Sequence, residues 1–161
     1  MFERFGEFAS WQDLNEAAAG QKEEGDESAL LALARENGIE DEDVEDYLDG
    51  LIPELVTPLS AAMGRVTVWE KEYKDDLNIR IALNVLRSML GDPRVQEAVV
   101  CDGRNPKDFM EKLKAHAKKH QKNGCGTACA TDRDKERALL VYFTGGDLDK
   151  ELEDQRKRLL A

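Results

Sequence analysis

The stretch TPLSAAMGRVTVWEKEY, residues 57–73, decides the fold class. Thr57 followed by Pro58 is a good helix start: the hydroxyl caps the first turn, and proline has no amide hydrogen to lose there. Leu59, Ala62, Met63 and Val66 follow on one side. From Arg65 onward two readings compete. Val66 and Val68 alternate with Thr67 as in a strand, whereas Ala62, Val66, Trp69 and Tyr73 repeat at helical spacing. A continuing helix is expected.

Signals on either side of this stretch are nearly all helical. Ser10 with Asp13 starts a helix through Leu14, Ala17 and Ala18 that is expected to end at Gly20. Asp26 precedes Leu30, Leu33 and Ala34, with Asn37-Gly38 as the stop. Asp41 is expected to cap a short acidic helix through Val44, Tyr47 and Leu48, closed by Gly50; acids crowd its first turn, where the helix dipole favours them. Asp75 or Asp76 opens a helix with Leu77, Ile81, Val85 and Leu86 expected to face inward. Asp92-Pro93 opens a short helix over 95–100. Asn105-Pro106 opens a basic helix, residues 105–123, with Phe109, Met110, Leu113 and Ala117 on its apolar side. Thr131 with Asp134 is a capping box, and Asp147 caps a charged helix after Gly145-Gly146. The expected fold is all-α: a multi-helix domain with an acidic helical subdomain at 1–50, a helical domain at 51–161, and a hinge near 50–58. At 161 residues the chain fits one domain or two small ones. It shows no Pro/Ser-rich linker and no internal repeat.

Charge is distributed unevenly. Residues 1–50 hold 16 acidic and 3 basic residues, a net of −13, whereas residues 51–161 hold 18 acidic and 20 basic residues, a net of +2. The densest acidic group is Glu40, Asp41, Glu42, Asp43, Glu45, Asp46 and Asp49. Residues 104–122 run the other way, with Arg104, Lys107, Lys112, Lys114, Lys118, Lys119 and Lys122 against Asp108 and Glu111. A fixed acidic face can occupy Lys/Arg sites that otherwise hold phosphates, and long-range attraction speeds the encounter. The expected partner is therefore a basic protein or ribonucleoprotein, with Glu40, Asp41, Glu42, Asp43, Glu45, Asp46 and Asp49 in contact. Nucleic acid would have to be touched through 104–122.

Few residues point to chemistry. His116 and His120 lie four apart on one helix face, and Cys125 and Cys129 follow a Gly-rich bend. Four such N/S ligands would suit zinc. The spacing H-x3-H-x4-C-x3-C departs from the usual zinc patterns, however, and both histidines lie among lysines. Surface histidines and small buried cysteines are expected, with no metal or other cofactor. Asp41, Asp43 and Glu45 suggest a calcium loop, but its sixth position is Asp46 and its twelfth Ile52, where glycine and glutamate are needed. No phosphate-loop, dinucleotide, zincin or nucleophile-elbow motif occurs. Cys101 lacks a paired base and reads as a buried structural thiol. No enzymatic activity is expected. Phe2, Phe5, Phe8 and Trp11, spaced by three, read as a stripe holding the first helix to the core. No uncharged apolar run approaches the ~18 residues that a membrane span needs. The opening residues lack a secretory pattern, and three cysteines, an odd number, suit a reducing cytoplasm.

Two parts of the chain resemble known proteins. MFERFGEF (1–8), LNEAA (14–18), EGD (24–26), LARENGI (33–39) and DY (46–47) are similar to small acidic proteins of mobile elements in gut Firmicutes. Residues 109–124, with Asp132, Asp134 and Tyr142-Phe143, resemble the C-terminal half of PcfK-like proteins of conjugative elements; where that pattern has a histidine before its aromatic pair, this chain has Val141. Neither resemblance carries a catalytic motif. The setting it implies is that of accessory proteins that assist transfer or disarm host defence, among them the small acidic inhibitors of RNA-guided nucleases (anti-CRISPR proteins). By that analogy the expected function is non-enzymatic inhibition of a defence nuclease through its basic surface. The alternative is a conjugation or replication accessory module docking on a relaxosome partner.

Overall fold

The computed structural model describes residues 4–101 and 103–161, and Phe2 of the aromatic stripe lies outside them. Among the described residues the regular elements are all α-helices: α1 (Trp11–Glu24), α2 (Glu27–Glu36), α3 (Asp41–Leu48), α4 (Pro58–Glu72), α5 (Leu77–Ser88), α6 (Pro93–Val100), α7 (Pro106–Lys119), α8 (Asp132–Phe143) and α9 (Leu148–Leu160). None is long and apolar enough to cross a membrane. In the 65–73 stretch, where strand and helix competed, residues 65–72 continue α4 and Tyr73 falls in the turn after it. Ala61, Ala62, Val66, Val68 and Trp69 are all buried, so the valines that mimic a strand cover two sides of a helix enclosed on more than one face.

Local signals set most helix starts. The side chains of Ser10, Asp26, Asp76, Asp92, Asn105 and Asp147 each accept a hydrogen bond from a first-turn amide. Thr131 and Asp134 form the reciprocal capping box. Three boundaries differ from expectation. α1 runs past Gly20 to Glu24, because one interior glycine costs only about 1 kcal/mol and Gly25 supplies the left-handed cap at φ 71°. α3 is preceded by Glu40 and has no side-chain cap; Asp41 is its first helical residue, and its carboxylate turns to Arg35. α7 stops at Lys119, with the chain turning through a Lys122–Cys125 bridge and the left-handed residues Asn123 and Gly124.

The chain forms two packed units. The first comprises Met1–Glu72 and Leu90–Gly103, the second Tyr73–Met89 and Arg104–Ala161. Both sides of residue 50 lie in the first unit. There α4 packs on α6, α1 on α2, and α2 on α3. The 50–58 stretch, the expected hinge, is pinned: Leu55 and Val56 are buried, and the Asn15 side chain donates to the Val56 carbonyl at 2.8 Å while accepting from its amide at 2.9 Å. Arg65, 2 % exposed, pairs with Glu7 and donates to the Phe8 carbonyl at 3.2 Å. The Glu36 carboxylate accepts from the Arg4 and Phe5 amides at 2.8 and 3.1 Å. Phe5, Phe8 and Trp11 are half-buried under these ties. In the second unit α5 packs on α7 and α8, and α8 on α9, around Phe109, Leu139, Phe143 and Leu152. Of the α5 residues expected to face inward, Leu86 is buried and Val85 half-buried, but Leu77 and Ile81 are exposed, because the helix turns Ile79, Ala82 and Leu83 to its neighbours instead.

Candidate functional site

Helix α3 is short and amphipathic. Val44 and Tyr47 are buried, which fixes which way the remaining side chains point. Glu42, Glu45, Asp46 and Asp49 recur at i, i+3, i+4 and i+7 on the outer side. They are exposed, as are Asp43 and Glu40. Asp41 is the exception among the seven expected contacts. Arg35 grips it through Nε at 2.9 Å and Nη2 at 2.6 Å, and those hydrogen bonds hold its carboxyl below the usual carboxylate range. Among the described residues no ion pair neutralises the other six. Positive charge at the C-terminal end of α3 comes from Lys22, whose ammonium donates to the Tyr47 carbonyl and lies 4.2 Å from its ring centre. Glu45, Asp46 and Asp49 lie in and just after the last turn of α3, where the helix dipole by itself disfavours anions and the Lys22 ammonium offsets it.

The basic residues expected at 104–122 fall on α7 and the turn after it, in the second unit. Lys107, Lys112, Lys114, Lys118, Lys119 and Lys122 are exposed, while Arg104 is half-buried; Lys112 lies 4.0 Å from Asp108. The apolar side carries Phe109, which meets Tyr142 at 5.4 Å between ring centres, and the Tyr142 hydroxyl donates to Asp108 at 2.8 Å.

The end of α7 departs from the sequence reading. His116 is buried, at 8 % exposure, where a surface histidine was the expectation. Burial and the neighbouring His120 push its imidazole below the ordinary range. The two rings stand 4.7 Å apart. Glu153 of α9 brings Oε2 to 3.4 Å from His120 Nε2. Arg156 holds the Glu153 carboxylate at 3.1 and 2.7 Å and draws its pKa down to about 2. Ligand atoms of His116, His120 and Glu153 all lie within 4.8 Å of one another. Cys125 and Cys129 line the same cavity of about 260 Å³, but neither thiol belongs to that cluster. The structure therefore does not bring His116, His120, Cys125 and Cys129 together as one ligand set, and it adds a carboxylate that the spacing could not reveal. Cys129 is buried, and desolvation raises its thiol to about 12; Cys125 and Cys101 are exposed, against the expectation of buried thiols.

The chain matches no protein-family model, no curated protein and no solved structure.

Proposed function

We propose that this protein is a non-enzymatic inhibitor that occupies the basic nucleic-acid surface of a host defence nuclease, in the manner of anti-CRISPR proteins of mobile elements. Glu40, Glu42, Asp43, Glu45, Asp46 and Asp49 are the contacts; Asp41, engaged by Arg35, contributes less. The observation that carries this reading is six exposed carboxylates on and beside one short helix, none of them held in an ion pair among the described residues. Such a row presents charge at about phosphate-like density and steers a cationic cleft toward it. Its placement serves the fold poorly. Like charges at i, i+3 and i+4 repel by a few tenths of a kcal/mol each, and the last turn of a helix favours cations.

The test uses the intact chain against target-DNA cleavage by RNA-guided nucleases of gut Firmicutes. The E42Q/D43N/E45Q/D46N variant should keep its helicity and melt no lower than wild type. Exposed charge pairs contribute about 0.2–1 kcal/mol each, so its half-inhibitory concentration should rise roughly ten- to a hundred-fold. Raising salt from ~0.1 M to ~1 M, which shortens the Debye length from about 10 to about 3 Å, should weaken wild-type inhibition. Inhibition indifferent to both changes, or absent against every nuclease tried, overturns the reading. The exposed lysines of α7 favour a second reading, docking on a relaxosome with weak DNA contact. In that case K118Q/K119Q/K122Q abolishes a DNA mobility shift while the α3 acids prove dispensable.

A further inference from the structure

We propose that His116, His120 and Glu153 bind one divalent zinc ion, joining the end of α7 to α9 within the second unit. The site is independent of the acidic face on α3. Its first support is geometric. Tetrahedral zinc with bonds of about 2.0–2.1 Å places neighbouring ligand atoms about 3.3–3.4 Å apart. His120 Nε2 and Glu153 Oε2 already stand at 3.4 Å, and all three ligand atoms lie within 4.8 Å. His116 lies in the last turn of α7 and His120 is the residue that caps its C-terminal end, so the two imidazoles are about one turn apart, with their rings 4.7 Å from each other.

The second support is a buried polar atom that faces the Glu153 carboxylate at 3.4 Å without a hydrogen bond. His120 Nε2 is buried and makes no hydrogen bond, and a buried imidazole nitrogen is costly to leave so. A metal ion between it and the carboxylate resolves that deficit. The third is the orientation of the carboxylate. Arg156 bonds both Glu153 oxygens, which fixes the carboxylate in place as outer-shell partners of metal ligands do. Two imidazoles and one carboxylate match zinc and not magnesium, which prefers oxygen ligands and retains its water. Three protein ligands leave a fourth position open, and the adjoining cavity of about 260 Å³, lined in part by Cys125, gives that position access to water or a small donor.

The experiment is calorimetric titration of the whole chain, stripped with chelator, with zinc chloride and separately with magnesium chloride. Helicity and thermal melting are followed alongside. One saturable zinc site per chain is expected, with a higher melting temperature and no magnesium binding at the same concentrations. H120Q should weaken zinc binding by more than the 10–100-fold typical of outer-shell losses. E153Q, at a half-exposed position, should weaken it at least tenfold with the fold intact, while C125S should leave it unchanged. Absence of saturable zinc binding by the wild type overturns the proposal. So does binding that survives both H120Q and E153Q, or that is lost in C125S alone.

Discussion

Cys125 and Cys129 lie on the same short bend, yet they differ in chemistry. Cys125 reaches solvent, whereas Cys129 is turned inward at φ 58° among Phe109, Ala128 and Leu139. Burial disfavours the thiolate, raising the Cys129 thiol to about 12. At about pH 8 its thiolate fraction is then roughly one part in ten thousand, against a few tenths for an ordinary thiol. Alkylation of the native chain with iodoacetamide should modify Cys101 and Cys125 and spare Cys129, with the third site appearing only on unfolding; mass spectrometry reads the sites directly. Rapid modification of Cys129 in the folded chain would contradict its burial. Local spacing put His116 and His120 one turn apart at the end of α7, although His120 proves to be the residue that ends the helix. The spacing was silent on the burial of His116, because the groups that cover it come from elements distant in sequence.

Helix α4 shows the same division. Its start at Thr57-Pro58 and its apolar spacing were legible, and Gly64 at its centre looks like a liability. In the structure a Cβ on Gly64 would overlap the Asn37 carbonyl oxygen, and a Cβ on Gly38 would overlap the Gly64 carbonyl. The turn after α2 therefore crosses α4 backbone to backbone, and Gly38 also needs its φ of 70°. G64A gains about 1 kcal/mol of helix propensity but incurs overpacking of about 2–3 kcal/mol, the upper part of the usual range, because the obstructing atom is backbone. The net expectation is a loss of about 1–2 kcal/mol. For a chain of this size that lowers Tm by about 2–8 °C, measured by circular dichroism. A Tm above wild type would show that the crossing relaxes freely.

For the whole molecule, the governing quantity is a net charge of −11, with all of the surplus in residues 1–50. Most ion pairs of the described residues are exposed or half-exposed, and such pairs contribute about 0–1 kcal/mol each. Self-repulsion among the surplus carboxylates should therefore outweigh what these pairs supply. Melting at rising salt, from ~0.02 M to ~0.5 M sodium chloride, should raise Tm by a few degrees as repulsion is screened. A fall in Tm would mean that the pairs dominate and that the acidic face is compensated.

Helix number, type and nearly every start were determined by the chain itself. A capping side chain, a first-turn proline and an apolar period act within a turn or two, so neighbours in sequence suffice. The acidic composition of 40–49 was equally legible, as was a short helix through Val44, Tyr47 and Leu48; that Val44 and Tyr47 are its buried side came from the packing. Only the tertiary structure decided that α4 and α6 share a unit while α5 joins α7 and α8, that glycines meet where two backbones cross, and that Glu153 stands beside His120. Those outcomes depend on contacts between distant segments. A chain rich in carboxylates offers many candidates for such a place, and packing selects one.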